Sequence, residues 1–330
     1  LKQRWAHAFG ATTPISYPLV ASGRVFVTTG GTSASLYALD EASGETLWGP
    51  IELGGFLPWA HAAYAMGRVF TVNYGGIVQA FDAASGAQLW AEQMPGPPAF
   101  LAPPTVYGRR VFVVGDGTLY AVAGNSGAVL WTAPVGGGSP VVTDTGLYVA
   151  YSCFNEAGLD PSTGSLLWHN GGGNCEGGGG APLVLLGSRL YGGPGSVVES
   201  GSGSAVLDAF FSASPIPAGS SSTLFTPSGG QLVARLLATV STPLWTYSAT
   251  TVTSAPLVVG NQVVIGSSVG SSNKTGEVDV LDAKSGAVLS KAAVPAPIPT
   301  PNEILPSPLT GMAAADNRLF FSAGGTLYAY

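Results

Sequence analysis

Apolar and polar positions alternate along this chain in short runs, and the runs come in pairs. The first member of each pair reads Gly23-Arg-Val-Phe-Val27, Gly67-Arg-Val-Phe-Thr71, Arg109-Arg-Val-Phe-Val113, Gly187-Ser-Arg-Leu-Tyr191 and Asn317-Arg-Leu-Phe-Phe321. Alternation of period two over such lengths predicts β-strands, and the apolar residues on both faces predict burial between neighbouring sheets. The second member ends in a fixed punctuation. Residues 36–48 and 78–90 share Asp40 and Asp82, Gly44 and Gly86, and Trp48 and Trp90 at matching places. An aspartate bonds its own backbone two residues on and a glycine takes the positive-φ position, so Asp-x-x-x-Gly predicts a tight turn. The following tryptophan offers about 150–250 Å² of apolar surface with which to fix one sheet on the next.

The repeat continues in weaker form. Residues 119–131 carry Ala123 for Asp, residues 156–168 keep Asp160, Gly164 and Trp168, and residues 278–290 keep Asp282 and Gly286 but end on Ser290. A Pro-apolar opening at Pro18, Pro140, Pro182 and Pro256 adds a short strand before each pair. Four strands in a unit of about 40–45 residues define a β-propeller blade. The tryptophan positions 5, 48, 90, 131, 168 and 245, with a degenerate site near Phe211 and Ser290 in the last, make eight units. The expected architecture is therefore all-β: one domain over residues 1–330, an eight-bladed propeller of four-stranded antiparallel blades. The blades are expected near 14–50, 59–97, 101–137, 139–172, 181–214, 215–249, 254–292, and 308–330 plus 1–10. Residues 2–9 carry the Trp5 that the segment ending at Tyr330 lacks. They are expected to supply the outer strand of the last blade and close the ring.

These motifs resemble the pyrroloquinoline-quinone (PQQ)-like repeat family, whose tryptophan-docking motif reads Ala-x-Asp-x-x-x-Gly-x-x-x-Trp. Residues 38–48 and 80–90 match it in full, blades 3, 4 and 7 in part, and blades 5 and 6 are degenerate, with Asp208 and Trp245 as remnants. The resemblance implies the fold. It implies less about activity, because this propeller hosts quinoprotein dehydrogenases, a scaffold lipoprotein of outer-membrane barrel assembly, and sensors. The dehydrogenases hold PQQ with an adjacent-cysteine disulfide and a Glu/Asn/Asp calcium set; this chain has neither a Cys-Cys pair nor a matching acidic triplet.

Composition sharpens the exclusions. Gly (48) and Pro (25) break helix interiors, which removes a helical bundle from consideration. The longest apolar stretches, such as residues 181–186, fall far short of the roughly 18 residues of a spanning helix, so no membrane insertion is expected. A net charge of −6 with twelve scattered basic residues argues against nucleic acid. No signal peptide is visible at Leu1, and the expected form is a mature extracytoplasmic one, a monomer or part of a longer multidomain chain.

In a propeller the B–C loops and blade-to-blade connections share one face, the top, and the long segments of this chain fall there. Cys153 and Cys175, the two cysteines, are assigned to neighbouring top loops. They are read as a disulfide closing a loop of about 20 residues and worth around 3 kcal/mol, with two buried free thiols as the alternative. A disulfide would imply an oxidising compartment. Tyr17, Trp59 and His61 are expected to protrude at the channel mouth as a ligand-binding rim, or else to fill the channel. Tyr74, Phe154, Glu156, His169 and Glu176 complete the candidate ligand-binding set, and Glu52, Asp116, Glu199, Glu277 and Glu303 the acidic top surface. Aromatic rings beside carboxylates suit a basic peptide or a sugar. The glycine-rich residues 171–180 lack the helix and Lys of a phosphate cradle. No metal site and no catalytic residue is assigned. The function expected is a non-catalytic binding or scaffold module engaging a protein or carbohydrate, without a cofactor. The alternative is an oxidoreductase binding PQQ and Ca²⁺ at the top of the channel.

Overall fold

The computed structural model describes residues 1–330 apart from Phe56, Pro58 and residues 152–154, 172–179, 193–196, 206–215, 270–274 and 300–308. Eight antiparallel sheets form the chain, and the described residues contain no helix. Blade 1 sets the pattern with strands A (Leu19–Ala21), B (Arg24–Thr29), C (Ser35–Asp40) and D (Thr46–Glu52), hydrogen-bonded in that order. The A strands of successive blades touch, blade 8 against blade 1 and blade 1 against blade 2, so they line the centre. The B strands are buried on both faces, as their uninterrupted apolar runs require. The D strands lie outermost, with Leu47, Leu89, Leu130, Leu167, Leu244 and Leu289 exposed on the rim.

The last blade joins Met312–Ala315, Arg318–Ala323 and Thr326–Ala329 to an outer strand from the other end of the chain, Trp5–Ala8. Its register pairs Trp5 with Ala329 and His7 with Leu327. The ring is closed by the N-terminal strand, and no blade is left without a neighbour.

The turns explain why the strands meet where they do. The A–B hairpins of blades 1, 2 and 8 place both central residues at positive φ: Ser22 and Gly23, Met66 and Gly67, Asp316 and Asn317. That is the turn whose twist suits a hairpin. At the C–D turns of blades 1, 2, 4 and 7 the aspartate caps its own loop. Asp82 Oδ1 accepts from the Ala84 and Ser85 amides at 3.1 and 2.8 Å and from Ser85 Oγ at 2.7 Å, and Asp40, Asp160 and Asp282 do likewise with the serines and amides that follow them. These bonds hold the four carboxyls below the ordinary aspartate range.

The tryptophans then tie blade to blade. Trp48 donates Nε1–H to the Ala83 carbonyl of blade 2 at 3.2 Å, and Trp5, Trp90, Trp168 and Trp245 donate to the equivalent carbonyls of Glu41, Gly124, Ser200 and Ala283. Each ring also lies on the turn glycine of the next blade. A Cβ at Gly44, Gly86, Gly127, Gly164, Gly203 or Gly286 would fall within 2.8 Å of the neighbouring indole.

Blade 5 departs from the sequence reading. Its described strands are Val184–Leu186, Arg189–Tyr191 and Val197–Glu199, and residues 206–215, with Asp208 and Phe211, lie outside the described residues. Its docking turn runs from Glu199 to Gly203, where Trp168 packs, and not around Asp208. Glu199 takes the place of the turn aspartate and is paired with Arg189 at 3.1 Å on the A–B side of the sheet. It therefore belongs to the bottom face, not to the acidic top.

Candidate functional site

The top of blade 2 gathers three of the sequence-assigned residues. Strand A of this blade, Ala60–Ala65, carries His61 opposite Val72 of strand B, and Trp59 stands just before it. The Trp59 ring lies 5.1 Å from that of His61 and 5.7 Å from that of Tyr74, which follows strand B (Arg68–Asn73) on the B–C loop. Tyr17, one blade back, donates its hydroxyl to the Ala62 carbonyl beside His61. Trp59, His61 and Tyr74 thus form one aromatic cluster at the inner end of blade 2, with Tyr17 of blade 1 bonded to the backbone beside it.

Trp59 and His61 do not protrude, however. Each is 1% exposed, and Tyr17 and Tyr74 are half-buried. The connection from blade 2 to blade 3 forms the cover. Its Ala99 and Phe100 amides bond the Tyr74 carbonyl at 3.0 and 3.2 Å, and Phe100 is buried against Gly76 and Gly115. Asn73 braces the same corner, its side-chain amide donating to Leu53 O at 3.2 Å while its Oδ1 accepts from Ile77 N at 3.0 Å.

The electrostatics of this corner are set by burial. Removal from water pushes the His61 pKa down to about 4, against a small opposing pull from the Leu101 backbone, so the imidazole is neutral at neutral pH. Neither His61 ring nitrogen makes a hydrogen bond of good geometry, and neither does Trp59 Nε1. A neutral imidazole offers one donor and one acceptor and an indole one donor, so the corner holds a compact set of unspent polar atoms inside an apolar wall.

A second group sits at the top of blade 4. Tyr151 OH and His169 Nε2 are 2.7 Å apart with their rings 6.1 Å apart and stacked, and His169 is exposed. Burial raises the Tyr151 pKa, which keeps the phenol as the donor. Glu156, expected on an exposed loop, is 2% exposed within strand C (Asn155–Leu159), at the register position that holds Leu36 in blade 1. Of the other candidates, Cys153, Phe154, Cys175 and Glu176 lie outside the described residues, as does Glu303. Glu52 and Asp116 are exposed and Glu277 half-buried.

Sequence reasoning missed a third group, between blades 6 and 7. Asp279, fully buried on strand C of blade 7 (Thr275–Asp282), accepts from Tyr247 OH at 2.8 Å and Thr250 Oγ1 at 3.2 Å through Oδ2. Its Oδ1 faces Lys291 Nζ at 3.2 Å, and the same ammonium reaches Glu277 at 2.8 Å and Tyr247 OH at 3.1 Å. Two carboxylates around one ammonium raise the Lys291 pKa and keep it charged, although burial works against that charge. The available signal was positional. Tyr37, Gln79 and Tyr120 hold the register place of Asp279 in blades 1 to 3, so a carboxylate there breaks the pattern.

The eight-bladed fold is similar to that of the PQQ-like propellers. A family model described as outer membrane protein assembly factor BamB matches residues 34–177, which span blades 1 to 4. The protein of that name from Moranella endobia (strain PCIT) is 28% identical over 152 residues, 40% of this chain and 38% of that protein. Among solved structures, BamB from Moraxella catarrhalis superposes with a TM-score of 0.73 at 16% identity, over 99% of this chain and 96% of the other. The computationally designed Ika8 protein reaches 0.77 at 15% identity, covering 100% and 99%. The quinohemoprotein alcohol dehydrogenase from Comamonas testosteroni reaches 0.69 at 13% identity, covering 99% and 76%. At these identities the structural likenesses show the fold alone.

The dehydrogenase likeness raises the question of a metal-held quinone at the top of the channel. In blades 1 to 4, 7 and 8 the innermost register positions there are Tyr17, His61, Pro103, Ser139, Ala255 and Gly311, and none of these six is a carboxylate. Among the described residues, no three His, Cys, Asp or Glu side chains converge. These residues do not fit the group, and no chemistry is derived through it.

Proposed function

We propose that this chain is a non-catalytic, extracytoplasmic binding module that engages a protein partner through the top face of blades 2 to 4. The observation that carries the reading is a coincidence of place. The segment matched by the assembly-factor family model, residues 34–177, is the one whose top carries the Trp59–His61–Tyr74 cluster and the Tyr151–His169 pair. Tyr74 and Tyr151 are half-buried and His169 is exposed, and aromatic side chains so placed are what protein interfaces use as anchors, with Trp59 and His61 packed beneath Tyr74 as support. Rigid blades beneath variable loops hold such anchors in place without an ordering cost at binding.

Biolayer interferometry tests this against three probes: soluble components of an outer-membrane protein assembly apparatus, an oligosaccharide panel, and PQQ with Ca²⁺. The expected result is saturable protein binding that weakens at least tenfold in Tyr74→Ala and His169→Ala. Binding of oligosaccharide in place of protein would move the reading to a carbohydrate module. A response to PQQ with Ca²⁺ would move it to the oxidoreductase alternative; ligand at a hundred times its Kd would add about 2.7 kcal/mol of stability.

A further inference from the structure

One arginine recurs at a fixed register place on the bottom face. Arg24, Arg68, Arg110, Arg189 and Arg318 each open strand B of their blades. In blade 8 this arginine reaches a carboxylate on the next blade's turn: Arg318 pairs with Glu41 at 3.1 Å, and Glu41 directly follows the capping Asp40. Two carboxylates therefore open the C–D turn of blade 1. Blade 3 has neither. Ala123 stands opposite Arg110 as Asp40 stands opposite Arg24, and Trp90 docks on the Gly124 carbonyl as Trp5 docks on that of Glu41.

The turn keeps its shape without those acids. Ala123 N bonds Ala128 O at 2.8 Å and Gly127 N bonds Ala123 O at 2.9 Å, matching the bonds of Asp40 N to Glu45 O and of Gly44 N to Asp40 O. In blade 1 the Ala42 amide and the Ser43 amide and hydroxyl all donate to Asp40 Oδ1. In blade 3 the Ser126 amide turns to Ala123 O at 3.2 Å, and the Asn125 amide and Ser126 hydroxyl have no acceptor among the described residues. Three arginines meet at this turn. Arg68 of blade 2 donates from Nη1 to Gly124 O at 2.7 Å, Arg109 accepts from Gly124 N at 2.8 Å through its carbonyl, and Arg110 lies across the strand from Ala123. The ion pairs among the described residues use Arg189, Lys291 and Arg318 and none of these three. Of the neighbouring acids, Asp82 caps its own turn, Asp144 is bonded to Tyr107 OH at 2.7 Å, and Glu92 packs over Gly127 on the outer side. Met66 is 49% exposed beside Gly124 and gives the patch an apolar flank.

We propose that the bottom face at the junction of blades 2 and 3 is a second interaction surface, for an acidic segment of a partner protein whose carboxylates take the part that Asp40 and Glu41 play in blade 1. The other turns of the ring show the chemistry that this turn shape accepts, a carboxylate on backbone amides with a guanidinium beside it. Bonds of that kind, between charged partners, are about twice as strong as neutral ones. In a chain of net charge −6, three unpaired arginines around one turn are a local inversion of sign that steers acidic groups to this place. The exposed Met66 beside them suits a peptide, which brings apolar side chains along with its carboxylates, better than a bare ion.

The probe is a fluorescein-labelled peptide, Asp-Glu-Leu-Asp-Glu, titrated with the protein by fluorescence anisotropy at low and at physiological salt. Saturable binding is expected that weakens as salt is added and is at least tenfold weaker for the uncharged peptide Asn-Gln-Leu-Asn-Gln. Ala123→Asp, which restores the cap of blades 1, 2, 4 and 7, should raise Tm and weaken peptide binding at least fivefold, while Ala123→Ser should leave the affinity as it was. Arg109→Glu, at an exposed side chain, should weaken binding by a similar factor and keeps the test open if Ala123→Asp fails to fold. Tyr74→Ala and His169→Ala should not change peptide affinity, so failure of the top-face reading leaves this test intact. Absence of binding, equal binding of the uncharged peptide, or unchanged affinity in both charged variants would overturn the proposal. An oligonucleotide of equal charge that binds as tightly as the peptide would overturn it in favour of a surface for any polyanion.

Discussion

Gly44 of blade 1 lies against the indole of Trp5, on the outer strand of blade 8: a Cβ there would stand 2.6 Å from the ring. Gly44 also has φ of +75°. The same residue therefore meets two demands, a left-handed turn and a flat seat for its neighbour's ring. The first is local and the second crosses a blade boundary.

Those demands separate by mutation. Gly44→Ala is expected to destabilise the ring by about 2–4 kcal/mol, combining the positive-φ penalty with overpacking. Gly67→Ala, at φ +69° with nothing near its missing Cβ, should cost only the conformational part, about 1 kcal/mol. Urea unfolding of both variants measures the difference, and equal losses would remove the ring contact from the account.

His61 predicts a pH dependence. Its folded pKa of about 4 lies below the ordinary 6.5, so the unfolded chain binds the proton more readily between those values. Stability from this residue is complete above about pH 6.5 and falls as the pH drops toward 4, by roughly 3 kcal/mol in total. His61→Phe should flatten the stability curve over that window in chemical denaturation, while the wild type keeps its slope.

Below that window the turn aspartates take over. Asp40, Asp82, Asp160 and Asp282 have folded pKa values beneath 3.8, so they stabilise above the unfolded value and that contribution is lost as the pH falls through the folded ones. Replacing all four with Asn, which keeps the Oδ1 acceptor and removes the charge, should shift the acid unfolding midpoint relative to wild type. An unchanged midpoint would show that these loops hold without the charge.

Lys291 holds a buried carboxylate in place. Lys291→Met would leave Asp279 fully buried without its cation and should cost about 3–5 kcal/mol. Pairing it with Asp279→Leu should recover most of that loss, because the uncompensated charge is gone. A double variant no better than the single would mean that the ammonium matters for Glu277 or Tyr247 instead.

The fold was legible because Asp, Gly and Trp each do a job that needs that residue type, and the three sit at fixed spacing. The capping carboxylate, the positive-φ seat and the wide ring all act within one blade or against the next. Where another residue fills the place, spacing misleads: Glu199 stands at the turn-aspartate position of blade 5 with its carboxylate on Ser188 and Arg189 and not on its own loop, while the sequence offers Asp208 as the remnant. The candidate site was legible in part. Trp59, His61 and Tyr74 meet, yet their burial depends on Ala99 and Phe100 from the next blade's approach, which no local pattern announces. Asp279 and Lys291 escaped notice because strand alternation marks which face a residue takes, and only register across two strands shows that they are opposite each other.

The pairing of Trp5 with Ala329 makes a seam of residues at opposite extremes of the chain. Contacts of that separation carry the largest loop-closure entropy, and so the seam is the last part of the circle to zip and the first to breathe. Amide hydrogens of residues 5–8 and 326–329 should then exchange ahead of those in blades 2 and 3, making the eighth sheet the gate through which the whole ring unravels.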